Sequence, residues 1–122
     1  MLHFSINTID SILTLEPSGP LLSSDFEAVG KALDPYLDQH GKLDGILIHA
    51  PSFPGWKDFA AFLSHIRFVK SHQHYIKRVA AVSDSRILSI LPDIAGHFIQ
   101  AEVQHFDYAD KDSALTWLKG ES

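Results

Sequence analysis

The sequence contains no cysteine, which excludes a disulfide scaffold and thiolate catalysis. It also lacks any apolar run approaching the roughly 20 residues that a membrane-spanning helix needs. The opening Met1-Leu2-His3-Phe4 has neither the basic flank nor the long apolar stretch of a secretory signal, so a cytoplasmic, soluble protein is the expectation. Basic charge is scarce: ten Lys and Arg stand against fifteen Asp and Glu, for a formal net charge of -5, which argues against a general nucleic-acid binder. The seven glycines are scattered, none at the spacing of a phosphate-cradling or dinucleotide loop, and no Gly-x-Ser-x-Gly element occurs. Internal repeats, low-complexity tracts and linkers are likewise missing. What remains is 122 residues, 45% hydrophobic and 20% charged, the composition of one globular domain with one core spanning 1–122.

The charge that is present is unevenly placed. Residues 67–86 carry Arg67, Lys70, Lys77, Arg78 and Arg86 against Asp84 alone, a local +4 within an acidic chain. Eight histidines add to this: full protonation would take the formal charge from -5 to +3.

Leu2, Phe4 and Ile6 alternate with polar neighbours, and Ile12 to Leu15 resumes an apolar segment after a turn, which predicts an opening hairpin. A helix follows, with Ser24 and Glu27 placed as a capping box, a buried stripe of Phe26, Val29, Leu33 and Leu37, and Gly41 as its stop. Pro35 is expected to kink or split it near Leu33. Leu43 to His49 reads as a buried strand ending in the breaker-rich Ala50-Pro51-Ser52-Phe53-Pro54-Gly55. In the second helix Trp56, Phe59, Ala60, Leu63 and Ile66 recur at helical spacing, Phe62 and Val69 widen the arc, and Phe68 falls roughly opposite, toward solvent unless covered. Ile76 to Val82 is the clearest buried strand, bounded by Ser83-Asp84-Ser85, which can cap a third helix from about Arg86 to Phe98 that Pro92 interrupts. Glu102 to Phe106 is the last strand, and Asp110 caps a terminal helix packed through Ala114, Trp117 and Leu118. The order β-β-α-β-α-β-α-β-α predicts an α/β domain whose mixed five-stranded sheet has a parallel core flanked by helices.

Gly55-Trp56 at the second helix, Arg78-Val79-Ala80-Ala81-Val82-Ser83-Asp84 on the central strand, Ala101-Glu102-Val103 leading through Gln104-His105 to Phe106, and Ala114 with Trp117-Leu118 follow one another in an order and spacing that resembles the SpoIIAA-like family. These are small bacterial proteins related in fold to STAS domains and to CRAL-TRIO lipid-binding domains. The resemblance implies a non-enzymatic, cofactor-free module, often a homodimer, with roles in regulation, small-ligand binding or peripheral membrane association. It also directs attention to the loop after the third strand, where STAS-type regulators carry a phosphorylated serine in an Asp-Ser-Ser/Thr-Gly type motif. Ser52 stands there as the candidate phosphoacceptor, but without the preceding Asp or the following small residues.

The side chains themselves point to binding more than to catalysis. Ser83-Asp84-Ser85 suits a helix cap better than a nucleophile site. His65 and His72, seven apart on a helix, stand about 10 Å from one another, too far to share one ion, and His72-Gln73-His74 alone offers too few ligands for a tetrahedral metal site. The second and third helices carry more apolar surface than one stripe each would bury. Trp56, Phe59, Phe62, Leu63 and Ile66 on one side, with Leu88, Leu91 and Phe98 on the other, form the candidate walls of a cleft for an apolar or amphipathic ligand or lipid, hinged at Pro54-Gly55 and Pro92. Arg67, Lys70, Lys77 and Arg86 beside it would meet an anionic headgroup or membrane surface. The alternative is a STAS-type regulator whose same helices bind a partner protein.

Overall fold

The computed structural model describes residues 2–85 and 100–120. Its element order is β1 (Leu2–Asn7), β2 (Ile12–Pro17), α1 (Ser23–His40), β3 (Leu43–His49), α2 (Phe59–His72), β4 (Ile76–Val82), β5 (Glu102–Phe106) and α3 (Lys111–Leu118), with short 3-10 turns at Gln73–Tyr75 and Tyr108–Asp110. The five strands form one sheet in the order β1-β2-β3-β4-β5. The first pair is antiparallel and the other three are parallel, so the mixed sheet and its parallel core are as the sequence predicts. The helix expected over 86–98 lies outside the described residues, so the capping role assigned to Ser83-Asp84-Ser85 has no described helix to act on.

Strand alternation sorts the core into two layers. Leu13 and Leu15 of β2, Ile46 and Ile48 of β3 and Val79 of β4 face α1, where they meet Val29, Leu33 and Tyr36; Phe68 of α2 packs on the same cluster. Ile12, Leu47, Ala80 and Val82 face the opposite way and are covered by Ala114 and Leu118 of α3. The hairpin is tied to this arrangement by Ser11, which adopts a left-handed backbone with φ 59. Its carbonyl accepts from the amides of Asp44 and Gly45, and its hydroxyl accepts from Tyr36 at 2.8 Å. One residue thus sets the start of β3 against β2 and against α1.

The helix ends differ from expectation in instructive ways. α1 starts at Ser23, one residue before the expected cap, and the Asp25 carboxylate, not Glu27, accepts the free amide of Leu22 at 2.8 Å. Pro35 does not split it: α1 continues for 18 residues, with Pro35 on the exposed side. Tyr36, rather than Leu37, completes the buried stripe. Gly41 closes the helix as expected, in a left-handed conformation with its amide bonded to the Leu37 carbonyl at 2.7 Å. At α3, Asp110 occupies the cap position but makes no side-chain capping bond.

Glycine is required at one position by packing. A Cβ on Gly45 would lie 2.8 Å from Leu118 Cδ2 and 3.1 Å from Leu118 Cβ, so β3 and α3 touch only because residue 45 has no side chain. Gly30, in the middle of α1, has no such neighbour: its Cβ would meet only the Asp34 carboxylate at 3.9 Å. The two positions therefore predict opposite signs. Gly45→Ala should destabilise the fold by about 1–3 kcal/mol through overpacking, whereas Gly30→Ala should stabilise it by about 0.5–1 kcal/mol. Urea unfolding of the two variants beside the parent chain checks both.

Candidate functional site

α2 is the element on which the candidate residues converge. Asp58 caps it by accepting the Ala61 amide at 2.9 Å, so the helix starts at Phe59 and Trp56 precedes it. The expected start at Trp56 is incorrect. Trp56 instead forms a bridge with Leu21: the Leu21 amide donates to the Gly55 carbonyl and the Lys57 amide to the Leu21 carbonyl, each at 2.8 Å. Periodicity within one segment does not reveal such a contact between two loops. The same two bonds pin Pro54-Gly55, the proposed hinge, to the chain before α1.

Helical geometry divides α2 into two opposed faces. Ala61, Ser64, His65, Phe68 and His72 form the one against α1. Phe68, expected opposite the main stripe and toward solvent unless covered, is covered by α1: its ring stacks on His72 at 4.1 Å and lies 6.2 Å from Phe26. His65 stacks on Phe26 at 4.8 Å, and its Nδ1 accepts the Trp56 indole N–H at 3.1 Å. The other face holds Phe59, Phe62, Leu63 and Ile66, at spacing i, i+3, i+4, i+7. Phe59 is 70% exposed and Ile66 40% exposed, while Phe62 and Leu63 are half-buried. Trp56 packs edge-on between Phe53 at 5.0 Å and Phe62 at 4.8 Å, extending this face beyond the helix.

Of the opposing wall, Leu88, Leu91 and Phe98 lie outside the described residues, as do Arg86 and the Pro92 hinge. Lys70 and Lys77 are exposed, as is Arg67 on the α1-facing flank. Ser52 is exposed in the loop before α2. The amino terminus of that helix is already occupied by the Asp58 carboxylate, so a phosphate there would meet like charge.

A groove of about 330 Å³ runs between α1 and α2, which the sequence analysis did not find. Ser23, Phe26, Glu27 and Gly30 line one side; Ser64, Arg67, Phe68, Ser71 and His72 line the other. Its only forewarning in the sequence is the pairing of small residues seven apart on each helix, Ser23 with Gly30 and Ser64 with Ser71, which has meaning once the two helices are known to be neighbours.

A second polar group gathers where the parallel strands end. His105 Nε2 donates to the Ser83 carbonyl at 2.6 Å, the buried Ser83 hydroxyl accepts the Ser85 amide at 3.0 Å, and Asp84 accepts the Tyr108 amide at 3.1 Å. His49 stacks on Tyr108 at 4.5 Å with its Nδ1 3.5 Å from the Glu16 carboxylate. Backbone groups occupy most of this chemistry. Among the described residues no group of three or more metal-ligating side chains comes together, and no helix is long and apolar enough to cross a membrane.

A five-stranded mixed sheet with α1 and α2 on one face and α3 on the other defines a SpoIIAA-like α/β domain of the STAS type. The sequence model of SpoIIAA-like proteins matches residues 12–119, and the chain belongs to that family. A crystal structure of an uncharacterized protein with a SpoIIAA-like fold, from Shewanella loihica, is similar to this one with a TM-score of 0.73, at 23% identity over 97% of this chain and 92% of that chain. A search of curated protein sequences finds no match.

His65 supplies a pH prediction. Burial lowers its pKa below the ordinary value of 6.5, because the charged ring would lose its water, and protonating Nδ1 would set it against the Trp56 N–H. The unfolded chain therefore takes up this proton at higher pH than the folded one. Stability from this group is complete above pH 6.5 and declines as pH falls toward the folded pKa. Thermal melts from pH 8 to pH 5 should show the parent losing stability more steeply than His65→Gln, which keeps an acceptor for Trp56 but does not titrate.

Proposed function

We propose that this chain is a non-enzymatic regulatory interaction module of the STAS type, and that the outward face of α2 docks an acidic amphipathic segment of a partner protein. The observation that carries this reading is the exposure of Phe59 and Ile66 on a continuous apolar face that Phe62, Leu63 and Trp56 complete. That spacing is the anchor pattern of helix-in-groove recognition, and exposed aromatic residues dominate such interfaces energetically.

Charge selects the partner. From Phe59 to His72 there is no carboxylate, and Lys57 and Lys70, exposed at the two ends of the face, make no ion pair among the described residues. A second copy docking through the same face would set the lysines of one copy against those of the other, whereas an acidic segment would neutralise both lysines. The polar groups at the strand ends support the non-enzymatic reading, since His105, Ser83 and Asp84 are each engaged by backbone.

The test compares affinity capture by the full chain, by Phe59→Ser with Ile66→Ser, and by Ile9→Ser as an exposed apolar control elsewhere. Surface changes of this kind should leave the melt within about 0.5 kcal/mol of the parent, while loss of two anchors should weaken a true partner by at least about 2 kcal/mol, or thirtyfold. Equal capture by all three chains refutes the reading. Co-sedimentation with anionic phosphatidylglycerol vesicles that depends on Phe59 and Ile66, with no protein captured, would replace it by membrane contact.

A further inference from the structure

The groove between α1 and α2 is bridged by side chains at both ends and open along its length. Toward the start of the helices Ser64 donates to Ser23 at 3.2 Å; toward their ends His72 Nε2 donates to Asp34 at 2.8 Å. Between these bridges Phe26 and Phe68 supply an apolar surface, and the bare backbone at Gly30 leaves space that any side chain would fill. The volume of about 330 Å³ falls at the small end of the range for small-molecule sites, about 300–1,000 Å³. Glu27 from α1 and Arg67 from α2 line opposite sides. Both are exposed, and neither enters an ion pair among the described residues.

We propose that this groove binds a free α-amino acid with an apolar or aromatic side chain. Arg67 takes the carboxylate, Glu27 takes the ammonium group, and the side chain lies on Phe26 and Phe68 in the space beside Gly30. Two charges of opposite sign, each without an ion-pair partner among the described residues and set on either side of an apolar surface, match a zwitterion with an apolar substituent. A ligand of one charge would leave the facing residue unsatisfied, and a purely polar ligand would gain nothing from the two rings. Ser64 and Ser71, three residues before and four after Arg67 on α2, stand on the same helix flank, but their hydroxyls already donate to Ser23 and to the Phe68 carbonyl, so the charged contacts rest on Arg67 and Glu27. Because solvent reaches the groove, each charged contact is weak, and affinity on the order of 1 mM is expected. The site uses the face of α2 opposite to the one assigned to a protein partner, so either assignment can fail alone.

The experiment titrates the isotope-labelled full chain with L-phenylalanine, with phenylpropionate, which lacks the ammonium, and with phenethylamine, which lacks the carboxylate, following backbone amide shifts. L-phenylalanine should give saturable shifts centred on Phe26, Gly30, Ser64 and Phe68, and each truncated probe should bind about two- to fivefold more weakly. Arg67→Gln and Glu27→Gln should each weaken L-phenylalanine about two- to fivefold without moving the melt, both residues being exposed. Gly30→Leu should abolish binding by filling the groove; if that variant does not fold, the two glutamine variants still decide. The proposal is overturned if L-phenylalanine gives no saturable shift, if the three probes respond equally, or if neither glutamine variant weakens binding.

Discussion

Strand β3 is hydrogen-bonded along both edges, to β2 and to β4, so its side chains can leave water only through covers on the two faces of the sheet. The rest of the fold follows from supplying those covers. Ile46 and Ile48 point to the layer of α1, and Leu47 points to that of α3. Burying each such side chain contributes about 1.5–3 kcal/mol, enough to commit the register, because a slip of one residue would exchange the two faces. Gly45 belongs to the same constraint: it removes the one side chain that would hold α3 away from the strand. Arg78 then fastens the far end of α3, donating to the Trp117 carbonyl at 2.6 Å with its guanidinium 5.3 Å from the Trp117 ring.

α2 contributes less to this screening than α1. Four α1 side chains are buried, but in α2 only Ala61 is, and Phe68 is its contribution to the core of the sheet. The helix is held instead by ring stacking and hydrogen bonds through His65, His72 and Trp56. A helix attached by one polar and aromatic seam leaves Phe59 and Ile66 exposed on its outer side and a groove open along its flank.

The strands were legible in the sequence as short apolar runs, in β3 and β4, or as alternation of apolar and polar residues, in β1 and β5. Leu43–His49, Ile76–Val82 and Glu102–Phe106 fall where pattern alone placed them. Helix ends were less legible, since the Asp25 and Asp58 caps compete with equally good neighbours such as Ser24. The orientation of α2 was beyond the reach of periodicity. Two apolar arcs can be drawn on this helix, and the richer one, with Phe59, Leu63 and Ile66, is the one left outside. The inward arc includes Ser64, His65 and His72, which count as polar in any pattern yet serve here as stacking and bridging partners for α1. The groove depends on which helices are neighbours, a property of topology that no single segment encodes.

The strand order has a consequence for how the chain reaches this state. Each strand lies beside its immediate predecessor in the sequence, from β1 through β5, and none is inserted between two that came earlier. The sheet can therefore lengthen in the direction of synthesis, each new strand finding its template already laid down by the part of the chain that left the ribosome before it. At every stage only the newest strand presents an open edge on the growing side. Until the next segment emerges to cover it, that edge is exposed to pairing with another chain, as the outer edge of β1 is throughout.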